Sequence, residues 1–151
     1  MSTNTNSTVN NAASVAATAG RVLIATIFLL SGISKLSAPA GTIGYIASAG
    51  LPFPELAYVA AVGVEVVLAT ALLLGFQTRV VAAVIAVFSL ATAFGFHSNL
   101  ADQNQFIHFF KNVAIAGGLL QVVAFGAGAY SVDAWRARTG QRVSGRTVSA
   151  A

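Results

Sequence analysis

The chain has 151 residues, is 56% hydrophobic and only 8% charged, and combines a mean hydropathy of +0.79 with a formal net charge of +4. Soluble domains carry about 25% charged residues, so this composition excludes an ordinary water-soluble globule and specifies a membrane protein. The absence of cysteine excludes disulfides, thiol redox chemistry and thiolate-held metal or iron–sulfur centres.

The first nineteen residues, MSTNTNSTVNNAASVAATA, contain no Lys or Arg and are rich in Ser, Thr and Asn. A secretory leader needs a basic start before its apolar run, so residues 1–15 are expected to be a disordered polar tail, with the first helix retained. Four continuously apolar segments follow, approximately Ala16 to Leu36, Glu55 to Phe76, Val80 to Phe96 and Phe106 to Tyr130. Each has roughly the 20 residues that a helix needs to cross a hydrocarbon core about 30 Å thick. None alternates with period two, which rules against barrel strands, and helices satisfy their own backbone hydrogen bonds in lipid. The fold class is therefore all-α, an integral membrane four-helix antiparallel bundle formed by residues 16–130.

Between the first two spans, SAPAGTIGYIASAGLPFPE is rich in small residues and contains all three prolines. It reads as an irregular loop or re-entrant piece, with Pro54 in the first turn of the second helix, where a missing amide proton costs nothing. GFQTR is a tight connection that makes the second and third helices antiparallel neighbours. Arg21, Arg79, Arg136, Arg138, Arg142 and Arg146 fall on the side of the termini, which the positive-inside rule makes cytoplasmic. Residues 131–151 form a basic cytoplasmic tail. Arginines beside a span are a topology signal that also meets anionic lipid, so nucleic acid is not an expected partner.

The polar residues inside this apolar frame carry the functional reading. Glu65 lies about ten residues beyond Glu55, roughly 15 Å along the helix and near the bilayer centre. Even mild scales charge about 2.5–3.5 kcal/mol for an ionisable group there. Ala57, Ala61, Glu65 and Ala69 share a face whose small members let another helix approach. Glu65 reads either as an interhelical clamp or as a site for a proton, cation or polar headgroup. In FHSNLADQNQFIHFFKN, with Asn104 as the expected cap of the fourth helix, His108, Lys111 and Asn112 project from one face. Ser31, Ser34 and Lys35 form a similar face at the end of the first helix, and His97 and Asn99 can cover the group from the loop. The candidate ligand-binding set is Ser31, Lys35, Glu65, His97, His108, Lys111 and Asn112. Lys35 also reads as an interfacial snorkelling residue, Lys111 as a structural ion-pair partner of Glu65, and Asp102 as loop solvation. His97 and His108 are eleven positions apart, not the i, i+4 spacing of a helical metal pair, so no metal site is expected. Phosphate-loop, H-E-x-x-H and G-x-S-x-G patterns are absent, histidines at one rim do not suit a transmembrane haem pair, and no catalytic residue is assigned.

The order of GRVLIATIFLLSGISKL, GLPFPE, VGVEVVLATALLLGFQTR, FH and FFKNVAIAGGLL resembles the DoxX family of small four-helix bacterial inner-membrane proteins, over about Gly20 to Tyr130. The positions that match the family's polar residues are Arg21, Ser31, Lys35, Glu65, Arg79, His97, Lys111 and Asn112. The resemblance implies an inner-membrane location and links to redox assemblies, since relatives act as membrane subunits of thiosulfate:quinone oxidoreductase. A quinone cofactor and a redox partner subunit follow as expectations, and the lack of Cys leaves sulfur chemistry to a partner. The alternative is a non-catalytic assembly factor or small transporter whose polar cluster is structural. The Ala114 to Gly118 spacing permits contacts within one chain or between copies, leaving a homo-oligomer open.

Overall fold

The computed structural model describes the backbone of residues 3–148 and the side chains of residues 11–141. Helices are α1 (Thr3–Ser37), α2 (Pro39–Ser48), α3 (Pro54–Val62), α4 (Ala69–Leu74), α5 (Thr78–Phe96), α6 (Gln103–Phe125) and α7 (Val132–Val148), with a π-helical segment, Gly63–Leu68, joining α3 to α4. Four stretches are long and apolar enough to cross a membrane: Asn11–Ser37, Pro54–Leu74, Thr78–Phe96 and Gln103–Phe125. The protein is thus an all-α, multi-pass membrane bundle.

α1 packs along the π segment and α4, while α5 and α6 make the most extensive interface. Phe28, Leu72, Ile85 and Leu119 fill the core between small residues such as Ala25, Ala69, Ala82 and Ala116, which let the backbones come close. Leu23, Leu30, Val67 and Phe94 stay exposed, as lipid-facing positions on spans must.

Four local features depart from expectation. The connection after α1 is helical as α2, because Pro39 sits in the first turn with its fixed φ already helical, and Ile46 is buried beneath it. α1 starts at Thr3, inside the segment expected to be disordered: adding residues to a helix already nucleated by an apolar span is far easier than starting one. α6 ends at Phe125, five residues early, where Gly126 and Gly128 take positive φ values of 83° and 75°. Its cap is Asp102, not Asn104: Oδ1 accepts from the Gln105 amide at 2.9 Å, so the aspartate satisfies a donor that the helix start leaves free.

The end carrying Gly75 and Ala127 is locked by Arg21, which is 0% exposed. Its Nε donates to Ala127 O (3.0 Å), Nη1 to Leu72 O (2.9 Å) and Leu73 O (3.0 Å), and Nη2 to Tyr130 O (2.8 Å) and Thr18 Oγ1 (3.5 Å). All five guanidinium donors are used, two of them on carbonyls in the last turn of α4. Gly75 closes α4 at φ 70°, with Gly75 N bonded to Leu72 O and Phe76 N to Ala71 O, the Schellman arrangement. A Cβ on Gly75 would sit 2.5 Å from Ser131 Cβ and 2.7 Å from Arg21 Nη1. Asp133 then caps α5 from a distance, accepting from Gln77 N and Thr78 N (2.9 Å each) and Thr78 Oγ1 (2.7 Å).

Candidate functional site

At the opposite end, Gly32 brings α1 against the π segment. A Cβ there would lie 2.7 Å from Val66 Cγ2 and 3.1 Å from Glu65 Cβ, so only glycine permits this approach. The flanking polar residues of α1 consequently reach Glu65, which is 4% exposed. Lys35 Nζ donates to Glu65 Oε1 (2.9 Å) and to Ser31 Oγ (2.8 Å), and Ser31 Oγ donates to the same Oε1 at 3.2 Å. Oε2 lies 2.8 Å from Lys35 Nζ, a charge contact, yet has no directed hydrogen-bond partner. Lys35 thus faces both carboxylate oxygens and neutralises them. Glu65 lies in a π segment, a feature frequent at functional sites.

A second group comes from the ends of α5 and α6. Lys111 Nζ is 2.7 Å from His108 Nδ1; an ammonium only donates, so this contact assigns the His108 proton to Nε2. His97 stacks on His108 with ring centroids 5.0 Å apart and planes 24° from parallel. Burial, then the neighbouring His108 and Lys111, holds the His97 imidazole below its usual pKa, so it is neutral at pH 7. Asn112 Nδ2 donates to His108 O at 3.1 Å.

Both groups border one cavity of about 430 Å³, within the range of small-molecule sites. Six of the seven residues singled out from sequence line it: Ser31, Lys35, Glu65, His97, Lys111 and Asn112. His108 stands behind them, bonded to Lys111 and stacked on His97. The remaining wall is mainly apolar, including Ile27, Phe28, Leu51, Phe88 and Ile115. α2 contributes Thr42, Tyr45 and Ile46, and Tyr45 stacks on Phe96 (5.6 Å, 17°), so this short helix roofs the cavity. Among the described residues there is no cluster of three or more His, Asp or Glu side chains fit to hold a metal.

Two sequence expectations are corrected here. The partner of Glu65 is Lys35 and not Lys111, because the Gly32 contact sets α1 against the π segment while Lys111 turns to His108. Lys35 accordingly does not simply snorkel to the interface. Sequence reasoning also missed Tyr45 and Phe96; an aromatic pair across two helices leaves no spacing signal. Arg21 was read as a topology marker and a family-matching position, with no structural role assigned, although its place within the span, away from the membrane edge, hinted at more.

The family model described as DoxX matches residues 16–98. That stretch contains Arg21, Ser31, Lys35, Glu65 and His97, while His108, Lys111 and Asn112 lie beyond it. The inner membrane protein YqjF of Escherichia coli (strain K12) is 40% identical over 113 residues, covering 75% of this chain and 85% of that protein. The inner membrane protein YphA of the same organism is 39% identical over 118 residues, with 75% and 84% covered. No solved structure matches the chain.

Proposed function

The chain belongs to the DoxX family, and from that premise we propose that it is an inner-membrane subunit or anchor of a quinone-linked redox assembly, holding a polar headgroup in the cavity beneath α2. Both termini and α7 face the cytoplasm, so the cavity opens in the outer half of the bilayer; the distribution of arginines supports this orientation. Its partners are the lipid bilayer and a second, redox-active subunit, since the chain brings no thiol of its own.

One observation carries the reading: Glu65 is buried mid-span in a π segment, is neutralised by Lys35, and borders the cavity together with Lys111 and His97. A quinone bound there would supply reversible two-electron, two-proton chemistry. Lys111 and His97 are the donors that suit a carbonyl oxygen, the apolar wall suits a ring, and Glu65 Oε2 is the atom that can accept and return a proton.

Native mass spectrometry of the protein extracted gently from its membrane tests this. A stoichiometric quinone or a co-purifying subunit, with the quinone lost in Glu65→Gln, supports the proposal. A chain carrying only phospholipid, together with a Glu65→Gln variant that loses stability, overturns it in favour of a structural clamp. The Lys35–Glu65–Ser31 triangle is the specific observation on that side, since it ties α1 to the π segment directly.

A further inference from the structure

The chain has four carboxylate side chains, and all lie within the described residues. Glu65 is paired with Lys35. Asp102 caps α6, Asp133 caps α5, and Glu55 is exposed in the first turn of α3. None lies within the 4 Å ion-pair distance of Lys111. Lys111 is eight residues beyond Gln103, about 12 Å along a membrane-spanning helix, and its one polar contact is a neutral imidazole nitrogen. One cavity wall therefore carries an unbalanced positive charge in a region where isolated charge is costly. His97 is neutral beside it and has a ring N–H to offer. Across the cavity Lys35 and Glu65 cancel each other, and Tyr45 faces in from α2.

We propose that the cavity takes an organic acid in its anionic form, with one carboxylate or acidic enolate head against Lys111 and His97 and an apolar body along Ile27, Phe28, Phe88 and Ile115. A small inorganic anion would neutralise Lys111 but leave those apolar walls against water. A neutral amphiphile would fill the walls but leave the ammonium without a counter-charge. Only an anionic head on an apolar body meets both demands. The proposal rests on the cavity being a ligand site, as argued above, and adds the charge of the head. Within the quinone class it selects ring systems bearing an ionised hydroxyl.

The test uses the full chain in nanodiscs of zwitterionic phospholipid, with empty nanodiscs as the reference for partitioning, and isothermal titration at pH 7. Two matched probe pairs separate head charge from body: 2-hydroxy-1,4-naphthoquinone against 1,4-naphthoquinone, and octanoate against octanol. The first represents a water-borne aromatic acid, the second an aliphatic acid drawn from the bilayer. In at least one pair the acid binds about tenfold or more tightly than its neutral partner, as one charge-assisted contact provides. Lys111→Gln abolishes that preference, and Lys111→Arg retains it. Equal affinity for acid and neutral probes overturns the anion preference and leaves the headgroup site standing. A preference that survives Lys111→Gln also overturns it, because the charge then lies elsewhere. Failure of all four probes to bind overturns both the preference and the site.

Discussion

Removing Lys35 without removing Glu65 separates a clamp from incidental proximity. In Lys35→Met the Glu65 carboxylate keeps only the Ser31 hydroxyl, 3.2 Å from Oε1, at a position where its side chain is 6% exposed. Breaking a buried ion pair from one side costs about 3–5 kcal/mol, because the charge left behind is uncompensated. Lys35 is itself 26% exposed, so water already screens part of the pair and the lower end, about 3 kcal/mol, is expected. Glu65→Leu is milder, about 1–2 kcal/mol, because Lys35 lies two residues from the end of α1 and its stem can carry the ammonium out to water. The double variant leaves no stranded charge and should lie within about 1 kcal/mol of the parent, giving a coupling of about 4 kcal/mol and no less than about 3 kcal/mol. Reversible unfolding by sodium dodecyl sulfate in mixed micelles reads all four corners of the cycle. Additivity within about 0.5 kcal/mol would refute the ion pair as an interaction that holds α1 to the π segment.

Three further outcomes are expected. Arg21→Met removes the guanidinium from the carbonyls of Leu72, Leu73, Ala127 and Tyr130, of which Leu72 O keeps the Gly75 amide; each charged hydrogen bond contributes about 1.5–3 kcal/mol, so the variant should yield no folded monomer by size-exclusion chromatography in mild detergent. Gly32→Ala should destabilise by about 1–3 kcal/mol as an overpacked contact, although alanine in an open helix position would gain up to about 1 kcal/mol; a stabilised variant in the same unfolding assay would show that α1 does not approach the π segment. For Asp133, burial alone would raise the pKa, but hydrogen bonds from the Thr78 backbone, the Thr78 hydroxyl and the Gln77 backbone, with the charge of Arg136, hold it below the usual value. The unfolded state therefore binds the proton more readily, so the contribution is full above the ordinary aspartate pKa near 3.8 and is lost as pH falls through the folded value. Asp133→Asn should flatten that acid limb and cost about 1 kcal/mol at pH 7 as a weakened cap.

Much of the architecture was legible because a bilayer imposes a length on every span and forbids unsatisfied backbone within it. Four apolar runs of sufficient length admit few other solutions, and the second and third begin within two residues of the helices seen. What escaped were features governed by contacts between distant residues. The π segment leaves no mark in VGVEVVLA, since it follows from how Glu65 and Val66 meet Gly32. The early end of α6 is set by GAG, which a hydropathy window passes over because alanine and glycine are nearly neutral. The candidate site was legible as a set and not as pairings. Helical spacing placed His108, Lys111 and Asn112 together and Ser31 beside Lys35, but which cation meets Glu65 depends on the rotation of α1, and only Gly32 reports that.

The two ends of the bundle handle buried polarity in opposite ways, and the contrast bears on what the cavity is for. Arg21 meets five acceptors with five donors, and Asp133 spends both oxygens on three donors. That is how this chain builds a lock: every guanidinium proton and both carboxylate oxygens have partners, which offsets the desolvation penalty of burying them. Beneath α2 the matching is incomplete. Lys111 has no carboxylate, and His97 is held neutral, first by burial, beside it. The same backbone could have satisfied these groups as thoroughly as it satisfies Arg21, or replaced them with the alanines that fill the rest of the core. An ammonium without a counter-charge on an otherwise apolar wall lowers stability, a cost that the anionic head of the proposed ligand would recover.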